Sequence, residues 1–296
     1  MRKSPYILST STTTKIMGDV LIALVPAFVA SILIFGYRSA LLTLVCVVSC
    51  VVSEGLYCLA LRLGQSITDL SAVVTGVLLA FSLPVGFPLW MAAVGSVFSV
   101  VVVKMLFGGI GENFANPAVT GRIFLFLSFG KEITNWANTS RLINSSATPL
   151  AEGESDIFKL LLGFRAGCIG ETCIIAIIIG GIYLVARKVI TFTAPISTLA
   201  GAAAVSLLCG RNPVFDLLTG SLMLAAFFMV TDYSTSPVSK RGKVIFGLGV
   251  GAITVLIREF GAYPEGVSFA ILLMNILSPL IDKMTFRMPF GGVKNV

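Results

Sequence analysis

Ten apolar runs, separated by polar segments, constrain the fold of this chain more than any other feature of its sequence. An α-helix needs about 20 predominantly apolar residues to cross the hydrocarbon core of a bilayer. Only 12% of the residues are charged, whereas soluble domains carry about 25%. The sequence therefore predicts an all-α polytopic membrane protein. The runs cover residues 16–35, 40–61, 70–83, 89–107, 117–129, 167–186, 193–209, 215–230, 244–257 and 264–281.

Lysine and arginine are unevenly distributed between the segments that join the runs. If the N-terminus is cytoplasmic, thirteen of the 21 Lys and Arg residues fall on that side, including Lys104 near the end of the fourth run. Seven fall on the other side, and Arg122 lies within a run. Because cytoplasmic loops collect Lys and Arg, we expect both termini in the cytoplasm and the polar loop 130–166 on the outer face. The same bias accounts for the net charge of +7 without a nucleic-acid partner. The polar N-terminal stretch has no signal-peptide pattern, so we expect the first run to remain as a helix.

The third and eighth runs are short and contain related stretches, TGVLLAF at 75–81 and TGSLMLAAF at 219–227. The ten runs divide into two sets of five. Because five is odd, two copies of a duplicated five-helix unit would insert in the membrane in opposite orientations. The short helices would then be broken near a site at the bilayer midplane. Chance recurrence of Thr-Gly in membrane helices remains the alternative. We expect a cytoplasmic segment at 1–15, five-helix repeats at 16–129 and 167–282, the outer-face loop at 130–166 and a cytoplasmic tail at 283–296.

The chain contains no histidine, and its six cysteines include no C-x-x-C pair. Histidine-ligated haem and histidine-based proton transfer are therefore excluded within it. Two thiols one helical turn apart do not hold zinc or an iron–sulfur cluster. We predict no metal site and no catalytic side chain, so redox chemistry here requires a bound cofactor.

Three polar stretches stand beside apolar runs: FGGIGENFANPA at 107–118, GCIGETC at 167–173 and TDYSTSP at 231–237. Glycines let backbone N–H groups approach a ligand, and a helix that begins at Pro117 directs its N-terminal dipole toward the stretch before it. Each stretch alone is also compatible with an ordinary polar loop. The candidate cofactor contacts are Asn113, Asn116, Gly170, Glu171 and Thr172.

Ionisable residues within membrane spans are costly and usually functional. Asp69 and Asp216 are each predicted to cap a helix N-terminus, which is the structural alternative to a functional role. Arg122 would need an anionic partner, either a carboxylate or a group of a ligand. The candidate carboxylates for an ion path are Glu112, Glu171 and Asp232.

The hydroxyl-rich segment NSSATPL, at 144–150, lies in the outer loop. No histidine or adjacent lysine is available to activate a serine or threonine nucleophile. The residues alone therefore indicate an ordinary polar loop.

Seven motifs occur in order along the chain: SPY, IMGDVLIALVPA, TGVLLAFSLP, GGIGENFANPA, GCIGET, TDYSTSP and PEGVSFAILLMNILSPLID. Through them the chain resembles the D subunit of the Rnf electron-transport complex, a ferredoxin:NAD oxidoreductase, and the related B subunit of the sodium-pumping NADH:quinone reductase. The resemblance extends through nearly the whole chain.

The resemblance implies that FMN is covalently joined through its phosphate to Thr148, in the motif formed by Ser145, Ser146, Ala147 and Thr148. Ser146 stands where the family pattern usually has glycine. A separate flavin transferase makes the bond in the family, and a non-covalent riboflavin is expected in the membrane domain. The cations considered near the FMN phosphate are Arg122, Arg141 and Arg165.

The resemblance further implies a multi-pass protein of the bacterial cytoplasmic membrane that relays electrons between reduced ferredoxin and NAD, coupled to Na⁺ or H⁺ translocation. The implied partners are the soluble NAD/flavin and iron–sulfur subunits, the membrane subunits and the G subunit, which also carries covalent FMN. Two alternatives remain: a flavin-free channel or transporter of the same inverted-repeat fold, and a structural subunit that has lost its flavin.

Overall fold

The computed structural model of the protein describes residues 12–62, 67–134, 157–163, 167–171, 173–261 and 266–285. Throughout this part of the chain the secondary structure is helical, and the only β-type pairing is one isolated bridge between Pro84 and Cys168. The all-α prediction is therefore confirmed for the described residues. The helices are α1 (Thr13–Phe35), α2 (Tyr37–Ala60), α3 (Ser71–Phe81), α4 (Leu89–Phe98), α5 (Pro117–Ser128), α6 (Gly130–Ile133), α7 (Ile157–Leu162), α8 (Ile174–Ala186), α9 (Thr193–Leu208), α10 (Pro213–Leu218), α11 (Leu222–Leu224), α12 (Lys240–Phe260) and α13 (Val267–Thr285).

Two of these helices, α4 and α11, are each followed directly by a segment of π-helix. After α4 the chain winds as π-helix over Ser99–Lys104 and then as a 3₁₀ turn over Met105–Phe107. After α11 it winds as π-helix over Ala225–Met229. The eighth apolar run is thus broken: α10 ends at Leu218, and Thr219, Gly220 and Ser221 separate it from α11.

Four of the described helices are long and apolar enough to cross a membrane: Thr13–Phe35, Tyr37–Ala60, Leu89–Phe107 and Val267–Thr285. Shorter apolar helices accompany them, α3, α5, α8 and α9. Large apolar side chains are exposed along the outer surface, for example Leu33 at 75% and Leu44 at 59%. Such a surface is stable against lipid and unfavourable in water, so the chain is a multi-pass membrane protein.

The helix boundaries follow from capping residues in the sequence. The Thr12 side chain accepts a hydrogen bond from the Lys15 N–H at the start of α1, and Ser239 accepts one from the Gly242 N–H at the start of α12. Gly36 ends α1 with a φ of 79°, a conformation that glycine adopts without steric cost. The sequence predicts helix from residue 167 in the GCIGETC run, but the helix begins only at Ile174.

Helices α9 and α12 pack closely through small residues. A Cβ atom added to Gly251 would overlap the Thr198 carbonyl oxygen, and one added to Gly201 would lie 2.5 Å from the Leu248 carbonyl oxygen. Gly247 stands one helical turn before Gly251 and is in similarly close contact with Ser197. The contact is therefore one between backbones, as membrane helices make through small residues spaced four apart.

The start of α1 and the end of α8 lie at the same end of the helix bundle. The Arg187 guanidinium lies 3.3 Å from an Asp19 carboxylate oxygen, and the Tyr183 hydroxyl donates to Asp19 at 3.1 Å. The Thr14 hydroxyl also donates to the Thr68 carbonyl, just before α3. We call this end of the bundle the N-terminal face.

Candidate functional site

A cavity opens near the N-terminal face, among helix ends from both halves of the chain. It holds about 760 Å³ of space, counting its open mouth, and its walls are mainly apolar. Ligand sites commonly combine apolar walls with a few polar groups that fix orientation. The apolar wall includes Val20, Val74, Leu78, Leu184 and Phe228. The polar lining includes Ser71, Thr75, Lys104, Asn113, Asn116, Thr231, Asp232, Tyr233 and Ser234.

Asn116 holds the edge of the cavity in place from the start of α5. Its side-chain oxygen accepts hydrogen bonds from the N–H groups of Ala118 and Val119, as an N-cap residue does, and Pro117 takes the first helical position. Its amide nitrogen donates to a carboxylate oxygen of Asp232 at 3.3 Å. The sequence predicts different roles for Asn116 and Asp232, and the structure brings the two residues into contact.

Asn113 lies three residues earlier, buried in the glycine-containing loop between the end of α4 and α5. Its amide nitrogen donates to the Ala115 carbonyl at 2.9 Å, which fixes the amide plane. The side-chain oxygen of Asn113 is then oriented by its own loop rather than by a second helix. Glu112, its neighbour, is exposed and does not belong to the described cavity lining.

Asp232 lies in the segment between the second π-helix and α12. Its carboxylate accepts hydrogen bonds from the hydroxyls of Ser234 and Thr235, at 3.2 and 3.1 Å. Burial raises the pKa of Asp232 above its ordinary value, and these hydrogen bonds oppose that shift. The residue is partly accessible because it faces the cavity, so a ligand or cation there would contact a carboxylate that resists ionisation.

A buried charge network reaches the cavity from the opposite wall. Lys104, at the end of the first π-helix, donates to both carboxylate oxygens of Glu54 on α2, at 3.0 and 2.8 Å. It also donates to the Ser71 hydroxyl, which in turn donates to Asp69. Asp69 accepts from the Ser71 N–H as well, so it does bind the start of α3, but the N-cap position is Leu70 and Asp69 lies one residue before it. The charge count along the sequence treats Lys104 as a loop residue, and the structure corrects this: it is 2% exposed.

Arg122 and Glu171 converge on Cys168 at a separate place. The Arg122 guanidinium donates to the Ser221 hydroxyl at 3.2 Å and to the Cys168 sulfur at 3.5 Å, while Glu171 accepts from the Cys168 N–H at 2.9 Å. Neither Arg122 nor Glu171 belongs to the described cavity lining. The two residues expected to contact a cofactor beside Asn113 and Asn116 are thus not grouped with them.

Backbone pairing accounts for the position of the GCIGE segment. The Gly170 N–H donates to the Phe81 carbonyl at 2.9 Å, and the Ile169 N–H donates to the Leu83 carbonyl at 3.0 Å. A Cβ atom at Gly170 would overlap Cβ of Phe81, so close packing against the end of α3 requires glycine here. Thr172 lies outside the described residues.

Asp216 does not cap its helix as the sequence predicts. Asn212 caps α10 by accepting from the Val214 N–H, and Asp216 is fully buried inside the helix. Its carboxylate pairs with the Arg211 guanidinium at 2.9 Å and accepts from the Ser206 hydroxyl. The correction has a physical cause: asparagine before proline is itself a strong N-cap signal, and the carboxylate one turn later is available to pair.

The segment predicted to carry covalent FMN, with Ser145, Ser146, Ala147 and Thr148, lies outside the described residues, as do Arg141 and Arg165. Its flanks are described. Helix α5 runs 12 residues, about 18 Å, away from the cavity edge at Asn116 before α6 begins at Gly130. The end of α5 therefore lies about 18 Å along the helix from the Asn116 edge of the cavity.

Comparison with known proteins gives a consistent result. The family model described as the NQR2, RnfD, RnfE family matches residues 1–291. The D subunit of the Na(+)-translocating ferredoxin:NAD(+) oxidoreductase complex of Acetobacterium woodii is 42% identical, across 98% of this chain and 95% of that protein. The D subunit of the proton-translocating ferredoxin:NAD(+) oxidoreductase complex of Clostridium ljungdahlii is 37% identical, across 97% and 95%. The D subunit of the ion-translocating oxidoreductase complex of Escherichia fergusonii is 33% identical, across 98% of each.

Proposed function

The chain belongs to the NQR2, RnfD, RnfE family, and from this membership we propose that it is the membrane flavoprotein subunit of an Rnf complex. In this role it relays electrons on the path between reduced ferredoxin and NAD, and the transfer drives Na⁺ or H⁺ across the membrane. One similar protein is named for sodium translocation and another for proton translocation, so similarity does not select the ion.

The cavity at the N-terminal face is the structural observation that supports this proposal. Its apolar walls suit the faces of an isoalloxazine ring, and Asn113, Asn116 and Asp232 offer amide and carboxyl groups at one edge. A flavin ring has the same distribution, with apolar faces and hydrogen-bonding atoms along one edge. We therefore assign the non-covalent riboflavin to this cavity, where it would supply the electron-carrying group that the side chains lack.

In this scheme the chain's own residues bind the flavin and fix its orientation. Asn116 is fixed by its capping bonds to α5 and Asn113 by its loop, so the amides are set before a ligand arrives. The apolar side chains of α1, α3 and α8 exclude water from the rest of the cavity. Asp232 presents a carboxyl group whose pKa is raised by burial, and Lys104 places a neutralised cation on the opposite wall.

The covalent FMN is proposed on Thr148, within SSAT at 145–148. The flanking helix α5 leads away from the cavity, so the two flavins would stand toward opposite ends of the bundle. Such an arrangement suits a subunit that passes electrons across a membrane. The flavin transferase, the soluble subunits and the other membrane subunits are the partners that this role requires.

Glu112, Glu171 and Asp232 remain the proposed carboxylates of the ion path. Of these, Asp232 has the strongest support, because it alone lines the cavity proposed for a flavin. A change in the charge of a group bound there would change the proton or cation affinity of the Asp232 carboxyl. Each amide replacement should be assayed for ions moved per electron in membrane vesicles. An unchanged ratio in Asp232→Asn would remove that residue from the path.

The test of the proposed function is flavin fluorescence in a denaturing gel, on chain produced together with its flavin transferase. The unsubstituted chain should fluoresce and Thr148→Ala should not, whereas Ser146→Ala should retain the signal. A dark band for the unsubstituted chain, with the transferase active on another substrate, would refute the covalent flavin. The channel and structural-subunit alternatives would then take precedence.

A further inference from the structure

A second cleft lies beside the larger cavity, at the N-terminal face. It holds about 470 Å³ of space, counting its open mouth, and is formed by the end of α8, the start of α9, the segment after the second π-helix and the start of α12. Lys188 and Lys243 line it, together with the hydroxyl-bearing residues Thr191 and Tyr233. Among the described residues that line the cleft, none is acidic.

Positive charge accumulates around this cleft. Asp282 accepts a hydrogen bond from the Val238 N–H just before α12, but it does not line the cleft. Helix α12 begins with Lys240, Arg241 and Lys243, and its first turn contains no acidic residue. A helix N-terminus carries about half a positive charge, so cations there repel it and one another. The Lys188 and Lys243 ammonium groups make no ion pair with a carboxylate of the described chain. An anion in the cleft would relieve this repulsion.

The backbone supplies further donors. Helix α9 begins at Thr193 after Phe192, whose side chain makes no capping hydrogen bond, and Ala194 of its first turn lines the cleft. The first N–H groups of a helix have no partner within it and point out of its N-terminus, and because Pro195 has no N–H, Thr193 and Ala194 supply these donors here. Two lysines and an uncapped helix start thus converge on one space, which is the combination that phosphate groups bind.

The larger cavity beside the cleft is less suited to a phosphate group. The two spaces share Val189, Ile190, Thr231 and Tyr233 as a common wall, but Asp232 lies on the larger cavity and not on the cleft. The larger cavity is lined by the Asp232 carboxyl group and by Lys104, which is already paired with Glu54, whereas the charged groups in the described lining of the cleft are cations alone. The cleft is therefore the space that favours an anion.

We propose that the cleft between Lys188 and Lys243 binds a phosphate-bearing anion. The headgroup of an anionic phospholipid and free inorganic phosphate are the two sources of this chemistry. The cleft lies where membrane helices end, and apolar side chains next to it in sequence, Phe192 and Ile245, are 48% and 46% exposed. These surroundings favour the lipid, since basic pockets at the ends of membrane helices bind anionic headgroups. The site is independent of whether the larger cavity holds a flavin.

The experiment compares two double variants that remove the same charge. Lys188→Gln with Lys243→Gln removes the cleft cations, and Lys240→Gln with Arg241→Gln removes exposed cations of the same helix start that do not line the cleft. Each protein is placed in phosphatidylcholine nanodiscs containing a minority of phosphatidylglycerol, and the lipids it retains are identified by native mass spectrometry. In a second arm, delipidated protein in detergent is titrated with inorganic phosphate by calorimetry.

The unsubstituted protein and the Lys240/Arg241 variant should retain phosphatidylglycerol, and the Lys188/Lys243 variant should bind it on the order of 30-fold more weakly. Lysine-dependent binding of inorganic phosphate without retention of the lipid would assign the site to free phosphate. Equal behaviour of the two double variants in both arms would overturn the proposal. If the Lys188/Lys243 variant does not fold, the exposed Lys188→Gln change alone and the charge-preserving Lys188→Arg with Lys243→Arg pair decide the same question.

Discussion

The ammonium of Lys104 lies 3.0 and 2.8 Å from the two carboxylate oxygens of Glu54, and both side chains are almost completely buried. Glu54 stands near the end of α2 and Lys104 at the end of the first π-helix, so the pair joins two segments 50 residues apart. Ser71 extends the network to the start of α3. A charge pair so placed fixes one wall of the larger cavity, because Lys104 also lines that cavity.

Removing one member of this pair should destabilise the protein more than removing both. Lys104→Met leaves the Glu54 carboxylate buried without its main cation, at a cost of about 3–5 kcal/mol, while combining it with Glu54→Gln avoids the stranded charge. Thermal unfolding in detergent measures the difference. Lys283→Met, at an exposed position of α13, is the matched control. A double variant less stable than Lys104→Met would show that the pair is not a coupled unit.

Asp232 should make stability depend on pH in a defined direction. Its pKa is raised above the ordinary 3.8 by burial, so in this range the folded protein holds the proton more tightly than the unfolded chain. Stability is then highest below the ordinary pKa and falls as pH rises from about 4 through the raised value. Unfolding temperatures measured against pH should fall less steeply for Asp232→Asn, whereas Glu112→Gln, at an exposed carboxylate, should follow the unsubstituted protein. Parallel curves for all three would contradict the assignment.

Filling the cavity should remove the non-covalent flavin and spare the covalent one. Val74→Phe places extra carbon atoms in the cavity wall of α3. Val48→Phe makes the same change on the lipid-facing side of α2, where the side chain is 51% exposed. Flavin released by denaturation should fall several-fold in Val74→Phe alone, while flavin that stays with the chain should be equal in both variants. Undiminished released flavin in a folded Val74→Phe protein would place riboflavin elsewhere.

The contact between α9 and α12 should not tolerate one added methyl group. In Gly251→Ala the new carbon would overlap the Thr198 carbonyl oxygen and lie 2.6 Å from the Ala202 nitrogen, both backbone atoms. Separating the helices should cost about 1–3 kcal/mol. Gly18→Ala, in α1, meets no atom within 4 Å and should be neutral or stabilising by up to about 1 kcal/mol. Thermal unfolding of the two variants separates packing from helix propensity, and equal shifts would contradict the close contact.

Much of this architecture is readable from the sequence because composition alone identifies membrane helices. Every apolar run contains helix in the structure, and the short eighth run is broken at Thr219 and Gly220 as its length and glycine indicate. The cavity edge is also readable in part. Asn116 before Pro117 is a strong helix-start signal, and the structure confirms it as the N-cap.

The charge network is not readable from the sequence, and the reason is geometric. Lys104 stands near the end of an apolar run, where charge counting treats a lysine as a loop residue, and its partner Glu54 lies 50 positions earlier. Whether such a lysine faces water or the interior depends on whether the segment winds as α-helix or π-helix, and composition does not predict this. The same limit separates Asn116 from Asp232, 116 positions apart in the chain and in contact in the cavity.

The π-helix at Ser99–Lys104 affects the direction in which side chains point around the helix axis. A π-turn holds one residue more than an α-turn, and each residue of an α-helix advances the side-chain direction by about 100°. If the same residues wound as ordinary α-helix with none removed, Lys104 would therefore turn away from Glu54 by roughly that angle. The π-helix thus absorbs one extra residue within a single turn, and deleting a residue between 99 and 103 would let the segment become α-helix with Lys104 still directed toward Glu54.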